Sequence, residues 1–312
     1  PGSFSRTGPS ETAPPLAPRS PFFHPLNTWA SSMLRLARPL ASLTTRGRRL
    51  ASSLSMDVNP EGIAIVKINC PGAKQNTMSK ELLKEFEDVS SKIHNDPKVR
   101  AVVLMSSKPG SFVAGADIKQ IAALGDAPPD VLAQASGMGQ AALDMLSDMQ
   151  ASKPWVAAID GPCLGGGLEI ALACAHRVAT SSNKTILGLP EVMLGLLPGA
   201  GGTQRLPKLV GAQTAIQMML TGKQVKSDKA KKMGLVDSVV DPNALERSAI
   251  ATAIDAANGK IKPRKRNLGW MDWFLEKTPM GRKVLFDQAT KAMKKQTKGK
   301  YPAPPAILEC AK

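Results

Sequence analysis

Two glutamates, Glu169 and Glu191, sit in surroundings that could make a carboxylate pair reactive. Glu169 follows three glycines in Gly161-Pro-Cys-Leu-Gly165-Gly166-Gly167-Leu-Glu169. Consecutive glycines let a backbone approach a ligand closely, in conformations other residues resist. If a helix opens there, its first N–H groups lack intrahelical partners and its dipole favours negative charge. Such a turn suits an oxygen that becomes an oxyanion. Glu169 lies three positions after Gly166, on the same helical face, though an acid in a first turn is also ordinary helix chemistry. Glu191 follows a proline in Leu189-Pro-Glu191-Val-Met-Leu, ahead of the loop Pro198-Gly-Ala-Gly-Gly202. Burial in that apolar neighbourhood would raise its pKa and suit it to donate a proton near neutrality. A solvated turn acid is the plainer reading. A third stretch, Ser111-Phe-Val-Ala114-Gly115-Ala116-Asp117-Ile118-Lys119, opens another helical pattern and could supply a second set of N–H donors. Asp117 reads as the cap of that helix rather than as a reacting group.

Other patterns carry less. Gly137-Met-Gly139-Gln-Ala-Ala142 fits a dinucleotide-binding pattern, but no strand precedes it and no acid follows at the right distance. Asn183-Lys-Thr185 matches a glycosylation acceptor. His24, His94 and His176 are the only histidines, too few for a histidine-rich metal site or a Ser/His/Asp triad. His176 reads as a packed or surface residue, and Met218-Met219 as core. Cys70, Cys163, Cys174 and Cys310 are widely spaced and form no CxxC, so buried thiols are expected rather than a disulfide framework. No metal and no cofactor is expected.

The elements that must hold these residues follow from periodicity. Residues 63–68 read as a first strand, broken by Pro71 and Gly72. Residues 79–94 have helical spacing at Leu82, Leu83, Phe86, Val89 and Ile93 and stop at Asn95-Asp-Pro97. Residues 101–105 and 155–159 are short apolar runs suited to strands buried on both faces. Helical pattern covers 131–149 and opens again at the glycines of 165–174. Strand and helix alternate, which predicts an α/β domain over 57–242. After Asp241 the pattern is helical, over 243–258 and 270–296, giving a basic helical region at 243–300. Tyr301-Pro-Ala-Pro-Pro begins a linker stub at 301–312.

The chain has 312 residues and a formal charge of +16, with 43% apolar and 4% aromatic content. Its basicity lies in the flanks. Residues 1–56 carry seven Arg and one acid, residues 260–300 thirteen Lys or Arg and three acids, and the remainder is neutral. No nucleic-acid motif accompanies the charge, so nucleic acid is not an expected partner. Residues 1–32, with seven prolines, read as disordered or artefactual. Residues 33–56 are rich in Arg and Ser and hold no acid, the composition of a mitochondrial transit peptide. The expected setting is the mitochondrial matrix or the matrix face of the inner membrane. No apolar run reaches the ~18 residues of a membrane span.

Taken together and in this order, the three motifs resemble the enoyl-CoA hydratase/isomerase (crotonase) family over about 57–242. The segments Thr221-Gly-Lys and Ala230-Lys-Lys-Met-Gly-Leu-Val-Asp237 fit it too. Ser106-Ser-Lys-Pro-Gly110 and Gln296-Thr-Lys-Gly-Lys-Tyr-Pro-Ala-Pro304 are most similar to the mitochondrial trifunctional alpha-subunit branch. The resemblance implies a crotonase-type spiral of ββα units followed by a C-terminal helical region. It implies that Glu169 and Glu191 act on one water, hydrating a 2-enoyl-CoA to a 3-hydroxyacyl-CoA in fatty-acid β-oxidation. It puts the oxyanion-hole N–H groups at Ala116 and Gly166. Ala114, Gly115, Asp117, Ile118, Lys119, Gly165 and Gly167 fall where the family lines its CoA-thioester pocket. Implied partners are the acyl-CoA thioester, a thiolase beta subunit, further copies of the chain, and inner membrane or cardiolipin through 260–300. That branch continues into an NAD-dependent dehydrogenase portion beyond the linker, so NAD is not expected for these 312 residues. Same-fold alternatives are an enoyl-CoA isomerase, which often keeps one of the two acids, and a thioesterase. A non-catalytic assembly or membrane-binding chain is the alternative of another class.

Overall fold

The structure, a computed structural model, describes residues 52–123, 125 and 127–312. Residues 1–32 and the leader as far as residue 51 lie outside them. Nine strands occur among the described residues: β1 (Leu54–Val58), β2 (Ile63–Ile68), β3 (Ala101–Ser106), β4 (Trp155–Ile159), β5 (Cys163–Leu164), β6 (His176–Thr180), β7 (Ile186–Gly188), β8 (Val225–Lys226) and β9 (Ser238–Val240). One sheet runs β1-β2-β3-β4-β6-β9 and a second β5-β7-β8. Only β1 enters the large sheet antiparallel, pairing Met56 with Val66. The four joins from β2 onward are parallel.

Parallel strands covered on both faces need apolar side chains on both, and β3 and β4 supply them in unbroken runs. Alternate residues serve opposite layers. Ile63, Ala101, Val103, Val156, Ala158 and Val178 pack under α8 (Leu245–Ala257), through Leu245, Ala249 and Ala253. Ala64, Val66, Val102, Leu104, Trp155, Ala157 and Ile159 face the main core. There they meet Leu82, Phe86 and Ile93 of α1 (Lys80–Asn95) and Leu143 and Leu146 of α3 (Pro129–Met149). The Ser79 side chain caps α1 by accepting from the Leu82 N–H. At its other end Lys153 donates to the carbonyls of Ile93, His94 and Asp96, at 2.6, 2.9 and 2.7 Å.

Three boundaries differ from expectation. The folded chain includes the end of the expected leader. The Glu85 carboxylate accepts from the N–H groups of Ser53 and Leu54, at 2.8 and 3.0 Å, and β1 follows. The stretch 270–296 is two helices, α9 (Trp270–Lys277) and α10 (Pro279–Thr297). The Thr278 side chain caps the second, Pro279 takes its first position, and a Cβ on Gly281 would stand 2.0 Å from the Phe274 carbonyl. The expected linker stub is a packed helix, α11 (Ala303–Ala311). Its prolines fall in the first turn, where missing N–H groups break no helical bond. Ile307 enters the main core, and Leu308 joins Ile216, Leu285, Phe286 and Met293.

Candidate active site

The glycine run opens α4 (Gly166–Ala173), as expected. Gly165, at φ 53°, is its cap and donates to the Gly188 carbonyl at 3.0 Å, tying the turn to the end of β7. The Gly165 carbonyl takes the first helical bonds, from Leu168 and Glu169 at 2.8 and 3.0 Å. Gly166 and Gly167 occupy the first two positions, where N–H groups have no place in the helical ladder. A Cβ on Gly167 would lie 2.3 Å from the Val113 carbonyl oxygen, so that position must be bare. A Cβ on Gly165 would lie 3.3 Å from Glu191 Oε1, which places that carboxylate beside the turn.

The segment around Ala116 lies against the same turn. Val113 donates to the Pro162 carbonyl and accepts from the Leu164 N–H, both at 3.1 Å. On its other edge Ala114 donates to the Asn76 carbonyl at 2.9 Å. The Met78 N–H donates to Gly115 at 2.8 Å, and Asp117 to Met78 at 3.2 Å. In that parallel bridge of Met78 with Ala116, the Ala116 N–H points away from residue 78. The Asp117 carbonyl accepts from Ile121 at 2.9 Å, the backbone position of a cap for α2 (Ile118–Ala123). Ile118 and Lys119 lie in α2, their side chains outside the described residues. The motif search overlooked Asn76. Fully buried, it donates to Ile68, Ser106 and Phe112 and accepts from the Cys70 N–H at 2.9 Å, stitching three segments together. One polar residue after a Pro-Gly turn gave no sequence signal for that role.

Glu169 is buried, and its Oε1 accepts from the N–H groups of Ala200 and Gly202, at 2.8 and 2.7 Å. Gly202 begins α5 (Gly202–Val210), so the carboxylate sits at a helix N-terminus. Burial pushes its pKa up, while the Gly202 and Ala200 N–H groups and the Arg205 charge pull against that rise. Glu191 starts a 3-10 turn, Glu191–Leu194. Burial, and then the charge of Glu169, push its pKa up to about 8. Its Oε2 is buried with no protein hydrogen-bond partner. Burial thus raises both carboxyls; donors partly offset the rise at Glu169, whereas the neighbouring negative charge adds to it at Glu191.

Remaining sequence candidates stay apart from this chemistry. His176 is buried in β6 with burial lowering its pKa, and Cys163 and Cys174 are buried free thiols. No cluster of three metal-ligating side chains occurs among the described residues. A cleft of about 510 Å³ lined by Lys208, Arg264, Lys265 and Arg282 contains neither glutamate.

Known proteins with similar sequences and structures bear on this arrangement. The family model for enoyl-CoA hydratase/isomerase matches residues 59–265. The chain is 47% identical over 253 residues to the fatty acid oxidation complex subunit alpha of Shewanella putrefaciens, covering 81% of this chain and 35% of that one. The Shewanella loihica protein of the same name is 46% identical over 260 residues, covering 83% and 36%. The chain therefore spans about 35% of the length of these relatives. Among solved structures it is similar to an enoyl-CoA hydratase from Bacillus anthracis, with TM-score 0.60 and 31% identity over 79% of this chain and 89% of that one. It is also similar to DspI of Pseudomonas aeruginosa, with TM-score 0.60 and 31% identity over 68% and 83%. These relatives overturn one expectation. They are bacterial, so the mitochondrial setting inferred from the composition of residues 33–56, the transit peptide with it, is corrected. An Arg-rich, acid-free stretch is a compositional signal and carries no compartment by itself. With its glycine turn, paired glutamates and sheet topology, the chain has the crotonase fold and belongs to the enoyl-CoA hydratase/isomerase family.

Proposed function

We propose that the chain hydrates trans-2-enoyl-CoA to 3-hydroxyacyl-CoA. The observation that carries this reading is the unequal carboxyl pair: Glu169 held by two N–H groups, Glu191 with its pKa raised to about 8. Glu169 acts as the base. It takes a proton from a water whose oxygen bonds to C3. Glu191 gives its proton to C2. Between those events negative charge gathers on the thioester oxygen, and the N–H groups of Ala116 and Gly166 accommodate it. The proton gained by Glu169 returns to Glu191 through the next water, so the net change is addition of H₂O. Ala114, Gly115, Asp117, Ile118, Lys119, Gly165 and Gly167 shape the pocket for the thioester.

Two acids beside one turn favour hydration over the same-fold isomerase, which can shuttle a proton with a single carboxylate. The relatives are named as subunits of a fatty acid oxidation complex. Assembly with a second, thiolase-type subunit of such a complex is part of the proposal. The test is incubation of purified protein with a short trans-2-enoyl-CoA. The expected product is 3-hydroxyacyl-CoA, seen as loss of the conjugated absorbance and a mass gain of one water. Release of free CoA, or double-bond migration without water uptake, would contradict the reading.

A further inference from the structure

Of the two N–H groups that hold Glu169, that of Ala200 belongs to a loop, and a loop peptide can flip. What fixes it lies on its outer side. Ser136 Oγ and Gln140 Nε2, both on α3, donate to the Gly199 carbonyl at 2.7 and 2.9 Å. That carbonyl shares its peptide plane with the Ala200 N–H and points oppositely, because the peptide is trans and planar. Holding the one outward therefore aims the other at Glu169 Oε1. The next carbonyl, Ala200, accepts from Arg205 Nη1 at 2.8 Å. The Arg205 Nη2 pairs with Asp144, again on α3. The Arg205 side chain is only 12% exposed, and it occupies the space a side chain on Gly201 would need: a Cβ there would lie 2.2 Å from Nη1.

We propose that Ser136, Gln140 and Asp144 of α3, with Arg205 of α5, are positioning residues that clamp the 199–201 loop so that the Ala200 N–H faces Glu169. They touch no reacting atom and act through two backbone carbonyls. The ionisable groups near Glu169 are Glu191 and Arg205, with Asp144 reaching it only through Arg205. Releasing the clamp lets the 199–200 peptide turn and removes the Ala200 donor, which favours the charged carboxylate, so Glu169 titrates at higher pH. The kinetic consequence rests on the proposed hydration; the titration of Glu169 does not.

The test is a carbon-13 NMR titration of Glu side-chain carboxyls in the full chain, with the Glu169 signal assigned by its loss in Glu169→Gln. In Ser136→Ala/Gln140→Ala, which removes no charge, the Glu169 midpoint moves to higher pH; in Arg205→Met it moves further, because the lost charge adds its own effect. Arg205→Lys, which keeps a donor and the charge, restores part of the difference. Gln140 and Asp144 are exposed, so Gln140→Ala and Asp144→Asn remove little packing and report even where a larger change unfolds the chain. In hydratase assays the clamp variants lose about tenfold in kcat at pH 7 with KM unchanged, and the acid limb of their pH profile moves upward. An unmoved Glu169 midpoint in folded Ser136→Ala/Gln140→Ala would overturn the clamp. A wild type that fails to hydrate enoyl-CoA overturns the proposed function instead, and leaves the NMR result to decide the clamp.

Discussion

Glu169 and Glu191 are the same residue type in neighbouring surroundings, and the structure separates them by hydrogen bonding. Two N–H groups end on Glu169 Oε1, whereas Glu191 Oε2 has no protein partner. The sign of the pH effects follows. Glu191 must hold its proton to donate it, so hydratase kcat falls as pH rises through about 8. In Glu191→Gln that alkaline limb disappears, along with about 100-fold or more of kcat. Stability carries the same signature. With a folded pKa raised from 4.5 to about 8, the native state binds more protons than the unfolded chain between those values. Stability therefore falls as pH climbs through that window and levels off above it. Thermal melts of Glu191→Gln from pH 5 to 9 should show a shallower fall, Glu169 retaining its own raised pKa, and the variant should melt above wild type at the alkaline end. A parallel pair of curves would contradict the assignment.

At the level of elements, the site is where two helix starts and an irregular strand meet. Gly166 offers a clean test. It is the first position of α4, where proline is well tolerated, and the nearest neighbour of an added Cβ is the flexible Met78 side chain at 3.2 Å. Gly166→Pro should fold, with a near-native circular dichroism spectrum, yet lose its N–H and about 10²- to 10³-fold in kcat. Gly167→Ala should instead fail structurally, because a Cβ meets the Val113 carbonyl. Much of this was legible in the sequence. Consecutive glycines after an apolar run marked α4, and the apolar runs at 101–105 and 155–159 marked strands buried on both faces. What was not legible depends on long-range pairing. Asn76 bonds residues up to 36 positions away, and Gly199 is held by side chains about 60 positions earlier. Neither leaves a local pattern. The break at Thr278 and the helix at 303–311 were missed for another reason: proline at a first turn looks, in sequence, like proline that ends a helix.

Across the whole molecule, the charge of +16 stays in the flanks and leaves the rest of the chain neutral, while burial is the largest influence on the two carboxyls. No helix among the described residues is long and apolar enough to cross a membrane. The last helices are not an appendage. α11 sends Ile307 into the same core as Leu168 and Leu206, which flank the site's two helix starts. Ile307→Ala should therefore cost about 2–5 kcal/mol in urea-unfolding experiments. A cost below ~0.5 kcal/mol would mean that α11 is not part of the folded unit. Composition served less well at this scale. It reported an unusual N-terminal stretch correctly and misassigned its meaning, which similarity to bacterial relatives then corrected.

The central claim is that Glu169 and Glu191 are one unit acting on one water, and a double-mutant cycle addresses it directly. The measurement is kcat for hydration by wild type, Glu169→Gln, Glu191→Gln and the double variant. Residues that act as a unit are strongly non-additive. Each single variant should lose about 100-fold or more, and the double variant little beyond the worse single. Losses that simply multiply, or a single variant with near-wild-type turnover, would contradict the shared-water mechanism.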